Sequence, residues 1–284
     1  MQKCMAELCR SGIDGRPRSA QIVAMPRREF LKLAASSTVL GVLGSCAAPP
    51  AQVAPAMPIP RKKIRAICFD LFTLFDPRSV VSVAKTIVAE HAVELCDVWR
   101  VRQFEYSWLR VASAQYVDFR RVTEDALQYA AKSRGLRLSE SDRATLVGAY
   151  SKLELWPDAR AALMAWKRAG LRLAPLTNYS PPMLAELLSN ANISDLFDAQ
   201  LSTHPIKTFK PDPRAYALGP SAFGLSREEI AFSAFGGWDA AGAKWFGFAS
   251  FWVNRLGVPQ EELAPGPDAT GPTLAELDRF VSSR

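Results

Sequence analysis

Hydrophobic residues in the body of the chain form short continuous runs that alternate with amphipathic segments. The first run ends at Phe69, directly before Asp70, and later runs cover residues 171–176, 230–235 and 248–254. Uninterrupted apolar runs of this length are typical of parallel strands that are buried on both faces. Residues 198–202 are predicted to form one more short strand, and the segments between strands predict helices over 158–169, 181–190, 213–223, 240–246 and 274–281. The alternation predicts an α/β fold with a Rossmann-like parallel sheet.

A long segment between residues 78 and 155 lacks strand-like runs. Apolar residues there recur at helical spacing, as in Val101, Phe104, Trp108 and Val111, and three or four helices fit the pattern. A helical block inserted after the first strand is expected to form a cap over the carboxyl end of that strand. The predicted organisation is therefore a core domain of residues 62–77 and 156–284 and a helical cap domain of residues 78–155, in which most apolar residues form the cap's own core.

The first 61 residues differ in composition from the rest. Arg27-Arg28 precede an uncharged, apolar stretch over residues 33–44 that is too short to span a bilayer. This pattern resembles a twin-arginine export signal and predicts a periplasmic protein with a leader over residues 1–46. Leu43-Gly44-Ser45-Cys46 also resembles a lipoprotein cleavage site, so membrane attachment through a lipidated Cys46 stays open. Residues 47–61, rich in Pro and Ala, are predicted to form an extended linker.

Much of the formal charge of +7 comes from the N-terminal residues rather than from the predicted domains. Seven of the 35 Lys/Arg and three of the 28 Asp/Glu lie in residues 1–60, so the remainder carries a net charge of +3. No run of basic residues with interleaved aromatics occurs in the body, which argues against nucleic-acid binding. A hydrophobic content of 49% with 22% charged residues is ordinary for a globular chain.

Polar side chains follow the predicted strands at their carboxyl ends. Asp70 follows the first strand, Thr177-Asn178 the second, Lys210 the third and Asp239 the fourth. Ligand crevices of open α/β sheets lie at this edge, so these groups are expected to converge there. Each residue alone has an ordinary alternative: a turn or helix cap for Asp70, a surface position for Lys210 and a helix N-cap for Asp239.

In this order, these residues resemble the four motifs of the haloacid dehalogenase superfamily. The resemblance to its (S)-2-haloacid dehalogenase branch is closer, because it extends to Trp99-Arg100, to residues 103–110, 116–119 and 123–127 and to Trp238-Asp239-Ala240-Ala241-Gly242-Ala243. It covers about residues 63–283. It implies a hydrolase for short 2-haloalkanoic acids that works through an aspartyl ester and needs no cofactor or metal. Members of the family are often dimeric, which leaves a homodimer open.

The resemblance also implies roles for individual residues. Asp70 would be the nucleophile, Lys210 would keep it ionised, Asp239 would orient or activate the hydrolytic water, and Arg100 would receive the halide. Tyr216 would support the lysine or the substrate. The remaining substrate-binding positions that it implies are Leu71, Phe72, Phe119, Thr177, Asn178 and Trp238.

A magnesium-dependent phosphatase is the main alternative within this superfamily. Such an enzyme needs a second acid two residues after the nucleophile and another acid near the fourth motif. Phe72 and Phe235 occupy these places, which leaves a hard cation with too few oxygen ligands.

Several positions depart from the dehalogenase pattern. A glycine normally stands between the positions of Phe72 and Thr73, so the turn beside Asp70 is expected to differ. Ala234 and Gly236 replace a serine and an asparagine, which removes hydrogen bonds around the nucleophile and the water. A second class of function therefore stays open: an exported binding protein that keeps the pocket and has weak or lost catalysis.

Overall fold

The computed structural model describes residues 62–284. The predicted leader, its export signal, Cys46 and the linker up to residue 61 lie outside these residues.

The described residues form eight strands, which fall into two sheets. The strands are β1 (Ala66–Phe69), β2 (Phe75–Asp76), β3 (Glu154–Leu155), β4 (Arg172–Thr177), β5 (Leu201–Ser202), β6 (Ile230–Ala234), β7 (Ala249–Val253) and β8 (Ala269–Gly271). Six of them form one sheet in the order β5-β4-β1-β6-β7-β8, and all of its neighbouring pairs are parallel. The predicted α/β fold with a parallel sheet is confirmed.

Helices connect the strands and flank the sheet. They are α1 (Leu71–Leu74), α2 (Ser79–Val88), α3 (Ala92–Ala112), α4 (Phe119–Ser133), α5 (Glu140–Gly148), α6 (Ala159–Arg168), α7 (Pro181–Asn190), α8 (Pro213–Tyr216), α9 (Leu218–Phe223), α10 (Gly237–Phe246) and α11 (Leu274–Ser282). Within residues 62–284, none of the helices is both long and apolar enough to cross a bilayer.

The central strand β1 is buried on both faces, as its continuous apolar sequence predicts. Ile67 and Phe69 pack into the hydrophobic cluster on one face of the sheet, whereas Ala66 and Cys68 pack into the cluster on the other. Alternation of side chains along a strand produces this division. Because β1 lies between β4 and β6, the residue after Phe69 lies between the carboxyl ends of these two strands.

A helical segment over α2 to α5 is inserted between β2 and β3. The chain leaves the sheet domain and returns to it at the same place. The two ends of this segment are joined by the antiparallel pairing of β2 and β3, in which Phe75 lies opposite Leu155. Trp99 of α3 is fully buried in this segment and donates its indole N–H to the carbonyl of Thr123 in α4 at 2.8 Å. The pairing of β2 with β3 was not predicted, since each strand has only two residues.

Other boundaries differ from the sequence prediction for identifiable reasons. The helix predicted over 213–223 is interrupted at Ala217 and forms α8 and α9. Pro220 has no N–H to bond the carbonyl of Tyr216, and its ring crowds that carbonyl. Helix α10 begins at Gly237 rather than Ala240, which places Trp238 and Asp239 in its first turn.

Candidate active site

Asp70 lies at the carboxyl edge of the sheet and begins the one-turn helix α1. Its backbone N–H donates to the carbonyl of Ser233 at 2.8 Å, which extends the pairing of β1 with β6 by one residue. Its side chain caps α1, because Oδ2 accepts from the N–H of Phe72 at 3.3 Å. The capping alternative raised by the sequence is therefore present, and it fixes the carboxylate at the edge of the sheet.

Lys210 joins two carboxylates. Its ammonium group lies 2.7 Å from Oδ1 of Asp70 and 2.6 Å from Oδ2 of Asp239, and the lysine side chain is only 2% exposed. Its backbone N–H donates to Oδ1 of Asn178 at 2.9 Å. The amide side chain that follows β4 therefore holds the main chain at Lys210 in place. Burial lowers the pKa of Lys210, but the two carboxylates outweigh this effect and the pKa is raised. The lysine is therefore charged at neutral pH.

Asp239 lies behind Lys210, and both of its oxygens are occupied. Oδ2 accepts from Lys210, and Oδ1 accepts from the hydroxyl of Tyr216 at 2.6 Å. The hydroxyl can approach because Gly242 has no side chain, since a Cβ there would lie 2.6 Å from the Tyr216 oxygen. Burial raises the pKa of Asp239 to about 6, although Lys210 opposes the effect.

Two of the predicted residues lie behind Lys210. Tyr216, which was expected to support the lysine or the substrate, is fully buried and donates to Asp239, which in turn binds Lys210. Asp239 was expected to orient or activate the hydrolytic water; its side chain does not line the cavity described below, and its role toward the water stays a prediction.

The raised pKa of Asp239 predicts a pH dependence of stability. The folded protein keeps this proton up to about pH 6, whereas an aspartate in the unfolded chain releases it near 3.8, so the free energy of unfolding falls as pH rises through this interval. An Asp239→Asn variant lacks this titration. Relative to the parent, its stability should rise by about 2 kcal/mol between roughly pH 4 and pH 6.5. Urea unfolding of both proteins at the two pH values measures the change, and a constant difference would contradict it.

A cavity of about 190 Å³ opens above Asp70 and Lys210. Seven further predicted residues line it: Leu71, Phe72, Arg100, Phe119, Thr177, Asn178 and Trp238. The other lining residues were not selected by the sequence analysis: Phe104, Tyr179, Phe235, Gly236, Gly237, Asn254, Arg255, Leu256, Val258 and Glu261. Asn254 and Arg255 directly follow β7, so the strand-end rule that selected Asp70 could have found them.

Arg100 faces this cavity from helix α3 and is surrounded by aromatic rings. Its guanidinium carbon lies 4.5 Å from the ring centre of Phe72, 5.4 Å from that of Phe104 and 5.6 Å from that of Phe235. Phe72 and Phe235 meet edge to face with centroids 5.9 Å apart. Among the residues that the structure describes, Arg100 forms no ion pair, so the guanidinium is available to a small anion in the cavity.

The positions where a phosphatase would need further acids are thus filled by two phenyl rings in edge-to-face contact, both next to the Arg100 guanidinium. Within residues 62–284, no group of three or more His, Cys, Asp or Glu side chains is placed to hold a metal ion.

The turn beside Asp70, which lacks the glycine of the family pattern, forms the short helix α1. The hydroxyl of Thr73 donates to the backbone carbonyl of Asp70 at 2.7 Å, and its backbone N–H donates to the same carbonyl at 3.1 Å. The threonine hydroxyl therefore binds the main chain of Asp70 rather than its carboxylate.

Because Gly236 has no side chain, the indole of Trp238 occupies the space next to it. A Cβ at position 236 would lie 2.8 Å from Nε1 of Trp238. The indole is held by edge-to-face contacts with Phe104 and Trp108, whose ring centroids lie 5.2 and 5.4 Å away. An asparagine at position 236 therefore requires Trp238 to move.

Comparisons with known proteins find relatives that match most of the described chain. A family model described as haloacid dehalogenase-like hydrolase matches residues 64–247. The chain is 41% identical over 206 residues to an (S)-2-haloacid dehalogenase of Pseudomonas sp. (strain YL). The matched residues make up 72% of this chain and 89% of that protein. A crystal structure of an L-2-haloacid dehalogenase superposes with a TM-score of 0.76 at 39% identity, covering 78% of this chain and all of the other.

A third similarity is to the L-2-haloacid dehalogenase of Xanthobacter autotrophicus in a structure with chloropropionic acid covalently bound. The TM-score is 0.72 at 35% identity, covering 77% of this chain and 98% of that one.

Proposed function

The chain belongs to the haloacid dehalogenase-like hydrolases, and we propose that it hydrolyses the carbon–halogen bond of short 2-haloalkanoic acids through an ester on Asp70. The observation that carries the proposal is the Asp70 carboxylate itself. It is bound at 2.7 Å to a buried, charged lysine at the base of a small cavity, and Arg100 lines the same cavity.

The proposed hydrolysis has two chemical steps. In the first, a carboxylate oxygen of Asp70 attacks C2 of the substrate, a C–O bond forms, and the halide leaves with the electron pair of the carbon–halogen bond. In the second, water attacks the carboxyl carbon of the Asp70 ester. The acyl C–O bond breaks, the 2-hydroxy acid and a proton are released, and the Asp70 carboxylate is regenerated.

Hydrogen bonds within the protein determine which atoms face the substrate. Oγ1 of Thr177 accepts the N–H of Tyr179 at 3.1 Å, which leaves its own hydroxyl proton for the substrate carboxylate. Oδ1 of Asn178 accepts from Lys210, which leaves the amide N–H₂ group as a donor. We assign this amide and the Arg100 guanidinium to the departing halide, with Leu71, Phe72, Phe119 and Trp238 as the apolar wall.

Asp239 acts in this proposal through Lys210. Since both of its oxygens are bound to Lys210 and Tyr216, it holds the ammonium group against Asp70 and balances part of the lysine charge.

The relatives support the substrate class. The similar Pseudomonas protein is named an (S)-2-haloacid dehalogenase, and the Xanthobacter structure carries chloropropionic acid as a covalent adduct. A halide-release assay with both enantiomers of 2-chloropropionate tests the proposal. Release of halide with formation of lactate supports it, and the absence of release from several small 2-haloacids would favour the binding-protein alternative.

Metal removal is expected to leave the activity unchanged. None of the proposed steps uses a cation other than Lys210 and Arg100, and Phe72 and Phe235 occupy the positions where acids would support magnesium. Halide release after dialysis against EDTA should stay within about twofold of the untreated protein, with added magnesium as the control. Loss on chelation and recovery with magnesium would contradict the mechanism and favour a phosphatase-like site.

A further inference from the structure

The last three carbonyl groups of helix α1 are bound by groups from distant parts of the chain. A helix of four residues cannot satisfy its own last carbonyls. The carbonyl of Phe72 accepts from the indole N–H of Trp156 at 3.0 Å, and that of Leu74 accepts from the backbone N–H of Trp156 at 2.9 Å. The carbonyl of Thr73 accepts from the Arg255 guanidinium at 2.9 Å.

Arg255 is itself held in place. Its guanidinium makes two hydrogen bonds to the Asp158 carboxylate, at 2.9 and 2.8 Å, and its carbon lies 4.9 Å from the ring centre of Trp156. The Arg255 side chain is only 6% exposed. Asp158 also accepts the N–H of Leu274 at the start of α11, at 3.0 Å. A planar guanidinium with several donors suits this combination, because N–H groups along one edge bind the Asp158 carboxylate while another N–H reaches the carbonyl of Thr73.

Helix α1 is also the element that places Asp70. The Asp70 side chain caps its first turn, so a tilt of this turn moves the carboxylate relative to Lys210 and the cavity. Arg255 lines the same cavity, as do Asn254 and Leu256 on either side of it. A nucleophile displaced by about 1 Å can lose about a hundredfold in rate.

We infer that Arg255 is a positioning residue for Asp70: together with Trp156, it clamps the end of α1 and thereby fixes the direction in which the Asp70 carboxylate faces the substrate. The inference rests on the proposed function, in which Asp70 is the nucleophile. It assigns to Arg255 and Trp156 a part in ester formation rather than in substrate binding.

Two variants test the clamp at separate contacts. Arg255→Lys keeps the positive charge beside Asp158 but cannot bind both the carboxylate and the Thr73 carbonyl with a planar fork. Trp156→Phe keeps an aromatic ring at this position and removes the indole donor to the carbonyl of Phe72. The matched control is Arg160→Lys, because Arg160 donates to the carbonyls of Ala191 and Asn192 after helix α7, and none of these three residues lines the cavity.

The main measurement is the single-turnover rate of ester formation on the Asp70 peptide with 2-chloropropionate, followed by rapid quenching and mass spectrometry. We expect both clamp variants to form the ester about tenfold or more slowly, with KM within about threefold of the parent. The control variant should stay within about twofold in both quantities. A residue with only a structural role would lower the melting temperature and leave the rate unchanged well below it.

A second measurement does not depend on turnover. Hydrogen exchange of the peptide over residues 70–75 in the substrate-free protein should become faster in both clamp variants and stay unchanged in Arg160→Lys. If Arg255→Lys fails to fold, Trp156→Phe decides, because it leaves the pair of Arg255 with Asp158 intact.

Ester formation within twofold of the parent in the folded variants would overturn the inference, as would a change confined to KM. If the parent itself forms no ester, the proposed function fails, and the exchange measurement still decides whether the clamp holds α1: unchanged exchange would overturn it.

Discussion

Halide release is expected to fall by about 10⁴-fold or more when Asp70 is replaced by asparagine. An amide cannot displace a halide from carbon, so no ester can form at this position. Asparagine is as good an N-cap as aspartate, so helix α1 should stay folded, and Lys210 keeps Asp239 as a partner. Chloride release and the mass of the peptide containing residue 70, after mixing with 2-chloropropionate, measure the effect.

Asp142→Asn is the matched control for this variant. Asp142 is also a capping carboxylate, since it accepts from the backbone N–H of Ser139 at 2.9 Å, but it lies in α5 and does not line the cavity. Its activity should equal that of the parent. Halide release above about one per cent of the parent rate in Asp70→Asn, or an adduct on a different peptide, would exclude Asp70 as the nucleophile.

Replacing Lys210 with methionine is expected to lower both stability and activity. The substitution leaves Asp239 buried without its cation and Asp70 without its 2.7 Å partner. Removing one member of a buried ion pair costs about 3–5 kcal/mol, and we expect the free energy of unfolding at pH 7 to fall by this amount. Halide release should fall by about a thousandfold or more, since one charged group at the reacting carboxylate is lost.

Urea unfolding and halide release of three variants separate these effects. Lys244→Met is the control for stability, because Lys244 pairs with Asp268 at 2.6 Å but is 31% exposed, and its loss should cost about 1 kcal/mol or less. Lys210→Met combined with Asp239→Asn should recover part of the lost stability without recovering activity, since the uncompensated charge is removed. Equal destabilisation by Lys210→Met and Lys244→Met would show that the buried cluster does not have the assigned energetic role.

The strand ends of the site could be found from the sequence because the signals there are local. An apolar run followed by Asp70, and a second followed by Thr177-Asn178, each identify a buried strand and the polar residue that leaves it. Parallel pairing then brings these ends to one edge, whatever the details of the loops. The α/β fold follows from the same rule, but the contact of Lys210 with Asp70 does not, because Lys210 lies in the loop after β5.

The finer structure of the site depends on contacts between residues far apart in the chain. No pattern around Tyr216 indicates that its hydroxyl binds Asp239, because this bond depends on the absence of a side chain at Gly242. In the same way, Trp238 occupies the space beside Gly236 only because Phe104 and Trp108 hold its indole there.

Sequence alone therefore determined the longer strands of the parallel sheet and the polar residues that follow them, because hydrophobic periodicity is a property of neighbouring residues. The short strands β2, β3 and β8 were not found in this way. Only the tertiary structure decided which donor meets which acceptor. Arg255 lies 182 positions from Thr73 in the chain, yet its guanidinium binds that carbonyl. Such a contact depends on how side chains from distant segments pack against one another. The hydrophobic pattern of a single segment does not contain this information.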